Sequence, residues 1–184
     1  MPVKQARFIY FSMEDAADMF VPRFRGIMRH YNLSREAIEG NFFLYDATHV
    51  EPMAIEKNVG GSSTLELTAV YDFLKSVVTK DDFVVVDNVS DAYCANENNR
   101  MLVRSFMKAM SNLVAGGRGA CEVLAHVDKS AARGNGNGNN YSGSTGWHNS
   151  SRSRLAIVEG KIKHEKLNVG QKREDDVPVR WSAD

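Results

Sequence analysis

Residues 83–88 read FVVVDN: four apolar residues, an aspartate and an asparagine. An apolar run of this length with no polar alternate is a strand buried on both faces, as in a parallel sheet covered by helices. Downstream, residues 100–115 form an amphipathic helix with Leu102, Phe106, Ala109, Met110 and Leu113 on its inward stripe. Arg100, Arg104 and Lys108 lie four apart on its other side, and Gly116 with Gly117 stops it. CEVLAH at 121–126 is the next buried strand. Upstream, RFIYFS at 7–12 and FFLYD at 42–46 read as two more. Ser12 supplies an N-cap for a helix with Glu14 and Asp15 in its first turn and Met19, Phe20, Phe24, Ile27 and Met28 along its stripe. Pro22, which lacks a backbone N–H, kinks or splits that helix, and a short second one starts at Ser34. Gly60 and Gly61 break the chain, and Ser63 with Glu66 forms a capping box for a helix burying Leu67, Val70, Tyr71, Leu74 and Val78. Strands alternating with helices at these lengths define an α/β fold with a mostly parallel sheet. RLAIVEG, KIKHEKLNV and VPVRW then read as antiparallel strands at its C-terminal edge.

Composition narrows the class. The 184 residues (20.5 kDa) are 43% hydrophobic and 25% charged, which fits one globular domain and excludes a disordered, collagen-like or disulfide-framework chain. No apolar run approaches the roughly 20 residues of a membrane span, and the start, MPVKQARFIYF, turns polar too soon for a secretory signal. Two cysteines, Cys94 and Cys121, fit a reducing compartment, so a cytoplasmic location with no membrane partner is expected. The net charge of zero is unevenly spread: −6 over residues 1–99, +9 over 100–173 and −3 over 174–184. So basic a middle segment suits nucleic acid or nucleotide phosphates. The alternative is a solvated surface that folding interleaves with acids from elsewhere.

Three strand ends carry chemistry. Asp87 closes the buried strand at 83–87, and in open α/β sheets the carboxyl ends of strands face the ligand crevice. A carboxylate there holds Mg²⁺, usually through water, or else caps the following helix. Glu14, at the same end of another strand, is placed to orient an attacking water, or is a first-turn helix acid. His126 ends a third, where imidazole senses a phosphate or serves structure alone. Together the three define one polar site at the carboxyl edge of the sheet. Cys94 and Cys121 lack CxxC spacing and the five histidines show no ligand pattern, so no zinc site is expected. Arg152 and Arg154 flank Ser153 and suit phosphate binding, or are strand-edge arginines. Residues 128–150, rich in Gly, Asn and Ser, form a flexible loop. Its Lys129, Arg133, Tyr141, Trp147 and His148 mix cations with aromatics, as single-stranded nucleic-acid binding requires, and as a mobile surface loop would equally tolerate.

FVVVDNVSDAYCANENNRMLVRSFMKAM, VLAHVDKS and YSGSTGWHNSSRSRLAI, with FIYFSMED and KLNVG, resemble the RecA-like ATPase core of plasmid and phage RepA-type hexameric replicative helicases. The likeness spans residues 7–181 and is most specific at NENNR and at the SGST–W–RSR run. It implies a RecA-like parallel sheet, ATP and Mg²⁺ as cofactors, DNA (single-stranded) as partner, a homo-oligomeric ring, and ATP hydrolysis coupled to DNA unwinding or translocation. By the same resemblance Glu14 activates water, Asp87 is the Walker B aspartate, and His126 senses the γ-phosphate. Arg152, or Arg154 in its place, is the arginine finger, and the loop faces DNA. The chain departs from the family in one respect. That family opens with a strand, a GxxxxGK[ST] phosphate loop and a helix, and no such loop occurs among the 184 residues. Residues 1–184 are therefore expected to be a single RecA-like domain lacking its first strand, P-loop and first helix, with an exposed edge where a central strand is missing. The second reading is a catalytically inactive nucleic-acid-binding or oligomerisation module.

Overall fold

A computed structural model describes residues 6–126, 145–168, 170–171 and 173–180. The chain runs β1 (Phe8–Ser12), α1 (Ala17–His30), α2 (Arg35–Ile38), β2 (Phe42–Asp46), β3 (Ala54–Val59), β4 (Ser62–Leu67), α3 (Ala69–Val77) and β5 (Phe83–Asp87). It continues with α4 (Val89–Ala92), β6 (Tyr93–Cys94), α5 (Arg100–Asn112), β7 (Ala120–Val123), α6 (Thr145–Ser150), β8 (Ser153–Val158), β9 (Lys161–Leu167) and β10 (Val177–Pro178). Two compact units divide it: Met1–Asn96 with Lys108–Ala125, and Glu97–Met107 with His126–Asp184. No helix among the described residues is long and apolar enough to cross a membrane.

The first unit is built on a four-stranded parallel sheet in the order β2-β1-β5-β7. Side chains alternate across it, so the register sorts them into two faces. Ile9, Phe11, Val84 and Val86 lie on one face and are fully buried. On the other, Phe8, Phe42 and Phe83 stack with ring centres 5.3–5.5 Å apart. Helix α1 covers that face with two rings, Phe20 at 4.6 Å from Tyr10 and Phe24 at 4.2 Å from Phe42. Aromatic contact narrows the buried stripe of α1, and Met19 and Ile27, expected inward, stay half-exposed. β5 pairs directly with β7, Val84 opposite Cys121 and Val86 opposite Val123. β5 thus has a hydrogen-bonded neighbour on each side, β1 and β7, and among the described residues β2 and β7 are the outermost strands of this sheet.

Other boundaries move for local reasons. Helix α1 begins at Ala17: the Ser12 hydroxyl donates to the Asp15 carbonyl (2.5 Å), leaving Glu14 and Asp15 before the helix. Its Ala17 N–H is taken instead by Asp46 Oδ2 of β2, 2.8 Å away. The helix runs through Pro22 without a break. Ser63 and Glu66 lie in a hairpin strand, not a capping box, because Gly60 and Gly61 have φ of 58° and 82°. Two successive left-handed residues make the tight turn that joins β3 to β4. Helix α3 then starts after Thr68, whose hydroxyl accepts from Val70 N–H. β3 also pairs with β6, giving a three-stranded sheet β4-β3-β6.

Helix α5 buries Leu102, Phe106, Ala109 and Met110, Leu113 is buried just beyond its end, and Arg100, Arg104 and Lys108 are exposed. Gly116 beyond it has φ 77°, the left-handed conformation that ends helices. Gly117 is needed for another reason. A Cβ there would lie 1.9 Å from the Lys80 carbonyl oxygen and 2.5 Å from its carbon. Gly117→Ala is accordingly expected to cost about 2–3 kcal/mol in denaturant unfolding, since backbone must shift to admit the methyl. Gly26→Ala, inside α1 with nothing within 4 Å of the new Cβ, is expected to stabilise by up to about 1 kcal/mol in the same measurement.

The second unit carries a separate antiparallel sheet, β10-β9-β8, with Ala156 and Val158 of β8 buried. Residues 145–150, expected within the loop, are helical. The rest of that loop, at 128–144, lies outside the described residues. Trp147 of α6 meets Phe106 of α5 edge to face, with ring centres 6.0 Å apart.

Candidate functional site at the carboxyl edge of the parallel sheet

Ser12, Asp46 and Asp87 share one register row across β1, β2 and β5, at the carboxyl ends of three adjacent strands. The chain leaving β1 crosses over the end of β5: Met13 and Glu14 N–H groups both donate to the Asp87 carbonyl, at 2.5 and 3.3 Å. That crossing brings Glu14 beside the end of β5, although the two strands are far apart in sequence. Asn88 completes the link. It is buried, its Oδ1 accepts from Ser90 N–H (2.7 Å) and Asp91 N–H (3.2 Å) to cap α4, and its amide donates to Glu14 Oε2. The peptide between Asp87 and Asn88 is cis. Val89 N–H bonds to Leu124 O (2.8 Å) and Leu124 N–H to Val86 O (3.0 Å), which ties this turn to the end of β7.

Asp87 itself is held by Tyr10, whose hydroxyl donates to Oδ2. Tyr10 lies two residues before Ser12 and therefore on the same face as Asp87. Burial, and then the hydrogen bond and charge of Asp87, push the Tyr10 phenol well above its ordinary value. A raised tyrosine contributes stability that is complete below the unfolded value near 10 and declines as pH rises beyond it. Tyr10→Phe is therefore expected to show a shallower loss of stability between pH 10 and 12 than the parent chain, by denaturant unfolding at each pH. At pH 7 it should lose about 1–2 kcal/mol with the hydrogen bond. Asp46 lies below the usual carboxylate range, held by the Ala17 N–H first and then by Thr48.

Of the residues singled out from sequence, Glu14 and Asp87 are brought together in the first unit. His126, Arg152, Arg154 and Trp147 belong to the second. His126 is exposed, just beyond the end of β7. Arg152 is exposed before β8, while Arg154 is mostly buried, its Nε 2.9 Å from Glu165 Oε2 and its guanidinium 3.2 Å from His148 Nδ1. Burial, with Lys166 and Arg154 nearby, holds His148 below its ordinary value. Lys166 donates to the His148 and Asn149 carbonyls at 2.7 and 3.2 Å. Trp147 is half-buried on Phe106. Lys129, Arg133 and Tyr141 lie outside the described residues. Tyr10, Asn88 and Asp46 were not singled out. Period-two spacing marks Tyr10 in retrospect, and a cap-forming asparagine straight after the strand-end aspartate marks Asn88.

A row of carboxylates and their donors at the carboxyl edge of a parallel sheet is where open α/β proteins hold ligands. The family model for the AAA domain matches residues 1–132, well over half of the chain. The protein belongs to the AAA-domain family, an ATPase family of the P-loop type, which implies nucleotide and Mg²⁺ use at a general level. No curated protein matches it.

The residues present fit one part of that cofactor pair. Mg²⁺ takes one or two carboxylates together with waters and phosphates, and the Asp87 carboxylate at the end of β5 is a donor of that kind. Among the described residues no group of three His, Cys, Asp or Glu is placed to hold a metal ion alone. A phosphate cradle of the GxxxxGK[ST] type is missing from the sequence.

Proposed function

We propose that the chain is the hydrolytic part of a RepA-like helicase ATPase core, coupling ATP hydrolysis to movement on single-stranded DNA in plasmid or phage replication. The observation that carries this reading is the convergence of Glu14 and Asp87 at one sheet edge, with Asn88 donating to Glu14 and Tyr10 donating to Asp87. Bound Mg²⁺ would supply charge neutralisation at the phosphates, with Asp87 as its water-mediated protein ligand. Glu14 orients the attacking water and accepts its proton. The buried Asn88 amide fixes the Glu14 carboxylate in position, and the cap on α4 fixes Asn88. Arg152, exposed, is the better arginine-finger candidate, since Arg154 is held by Glu165. His126 is the proposed phosphate sensor. Lys129, Arg133, Tyr141 and Trp147 are the proposed nucleic-acid contacts.

The phosphate cradle is contributed, in this reading, by a segment outside these 184 residues, on the same or another polypeptide, within an oligomeric ring. A fluorescent ATP analogue with Mg²⁺ tests it. The chain by itself is expected to bind only in the millimolar range, and to gain Mg²⁺-dependent ATP hydrolysis when a phosphate-loop segment is supplied. Micromolar binding by the chain alone, abolished by Asp87→Ala, would overturn the need for a separate cradle. The net +9 over residues 100–173 favours a second reading, a nucleic-acid-binding or oligomerisation module without hydrolysis. Salt-sensitive DNA binding with no ATP turnover under any of these conditions would select it.

A further inference from the structure

We propose that the second unit contains a binding site for a phosphate oxoanion, formed by Arg100 and Arg104 of α5 with Asn149 and Ser150 of α6. These residues and Gly146 line a cavity of about 210 Å³. Water occupies about 30 Å³ in the liquid, so the space admits a tetrahedral oxoanion with part of its hydration.

Two independent features call for an anion there. Arg100 and Arg104 stand four apart, so their side chains rise from one helix face a turn from each other. Two guanidiniums so placed repel, and neither has a carboxylate partner among the described residues. The lining contains no acid, and the carboxylate of Glu165 is already engaged by Arg154. The second feature is Ser150. Its Oγ is buried and has no hydrogen-bond partner among the described residues. An orphaned hydroxyl of this kind costs free energy unless a guest satisfies it. An oxoanion answers both: it accepts a hydrogen bond from the Ser150 hydroxyl and takes the forked donors of the two arginines. A phosphate is presented by two sources, the phosphates of a free nucleotide and the phosphodiesters of a single strand.

The test uses the full chain and inorganic phosphate, titrated calorimetrically against chloride of equal ionic strength. Wild type is expected to bind phosphate, and Arg100→Gln/Arg104→Gln to bind it at least ten-fold more weakly with an unchanged circular dichroism spectrum, both arginines being exposed. Ser150→Ala should weaken phosphate binding several-fold and yet melt no lower than wild type in chloride, because it removes an unsatisfied buried hydroxyl. Asp87→Asn should leave phosphate binding at this cavity unchanged, which separates failure here from failure of the nucleotide reading above. A labelled oligothymidylate and ADP then assign the source. Loss of oligonucleotide affinity alone in the arginine double variant assigns the strand, and loss of ADP affinity alone assigns the nucleotide. Phosphate affinity within two-fold of wild type in the double variant, or neither ligand affected by it, overturns the site.

Discussion

Glu14→Gln is expected to lower ATP turnover by about 10²–10⁴-fold while leaving nucleotide affinity within two-fold. The substitution is nearly isosteric, and the side-chain oxygen of glutamine still accepts from the Asn88 amide, so the turn after β1 keeps its geometry. Only the capacity to take a proton from water is removed. The measurement is phosphate release, by the chain combined with a phosphate-loop segment, beside equilibrium binding of a non-hydrolysable analogue. A variant that turns over within two-fold of wild type would reduce Glu14 to an exposed acid on a turn. A variant that loses binding as well would place it among the ligands of the nucleotide. Asn88→Ala offers a graded companion. It removes the donor to Glu14 together with the cap on α4, so it should lower turnover and stability together.

The second large effect is structural. Asp82→Ala is expected to cost about 3 kcal/mol at pH 7. Asp82 is 2% exposed and collects four hydrogen bonds: Arg7 Nε at 3.0 Å and a second Arg7 nitrogen at 2.6 Å, Thr79 N–H at 2.7 Å and Thr79 hydroxyl at 2.8 Å. Removing one member of a buried pair strands its partner, at about 3–5 kcal/mol. The lower end applies because the Arg7 side chain is 35% exposed and water screens what remains. The network pins the entry of β1 to the entry of β5, where Arg7 also donates to the Val77 carbonyl at 2.8 Å. Burial alone would raise the Asp82 carboxyl. The bonds from Arg7 and Thr79 outweigh it and hold the group below the usual carboxylate range. A lowered carboxylate contributes stability that is present above the unfolded value near 3.9 and lost as pH falls through the folded one. The gap between Asp82→Ala and wild type should therefore be constant from pH 7 to about 5 and narrow below 4, followed by urea unfolding across that range. A gap that widens on acidification would show that Asp82 does not carry the charge assigned to it.

Aromatic density also explains where sequence patterning and packing part company. Helical periodicity marks a helix after Ser12, and its apolar spacing names Met19, Phe20, Phe24, Ile27 and Met28 as inward; the helix forms at Ala17–His30. Of these, packing keeps Phe20 and Phe24 against the sheet and leaves Met19 and Ile27 half-exposed, because the two rings join a cluster formed by Phe8, Tyr10 and Phe42. Ser63 and Glu66 show a similar limit. Their spacing matches a capping box, but the two left-handed glycines before them turn the chain back as a hairpin, and a hairpin consumes the same residues as strand.

By itself the sequence determined the parallel α/β class, the three strands FIYFS, FFLYD and FVVVD, the stripe of α5, and Glu14 with Asp87 as strand-end acids. These follow from local period and from polarity at the end of an apolar run, which each segment carries within itself. Tertiary structure alone decided the rest. The donation of Tyr10 to Asp87 and of Asn88 to Glu14 depends on the register between strands more than seventy residues apart. The direct pairing of β5 with β7, the Lys80 backbone pressed against Gly117, and the two arginines beside the orphaned Ser150 hydroxyl are likewise long-range facts. No short window of sequence contains both partners of such a contact, and only the folded chain brings them together.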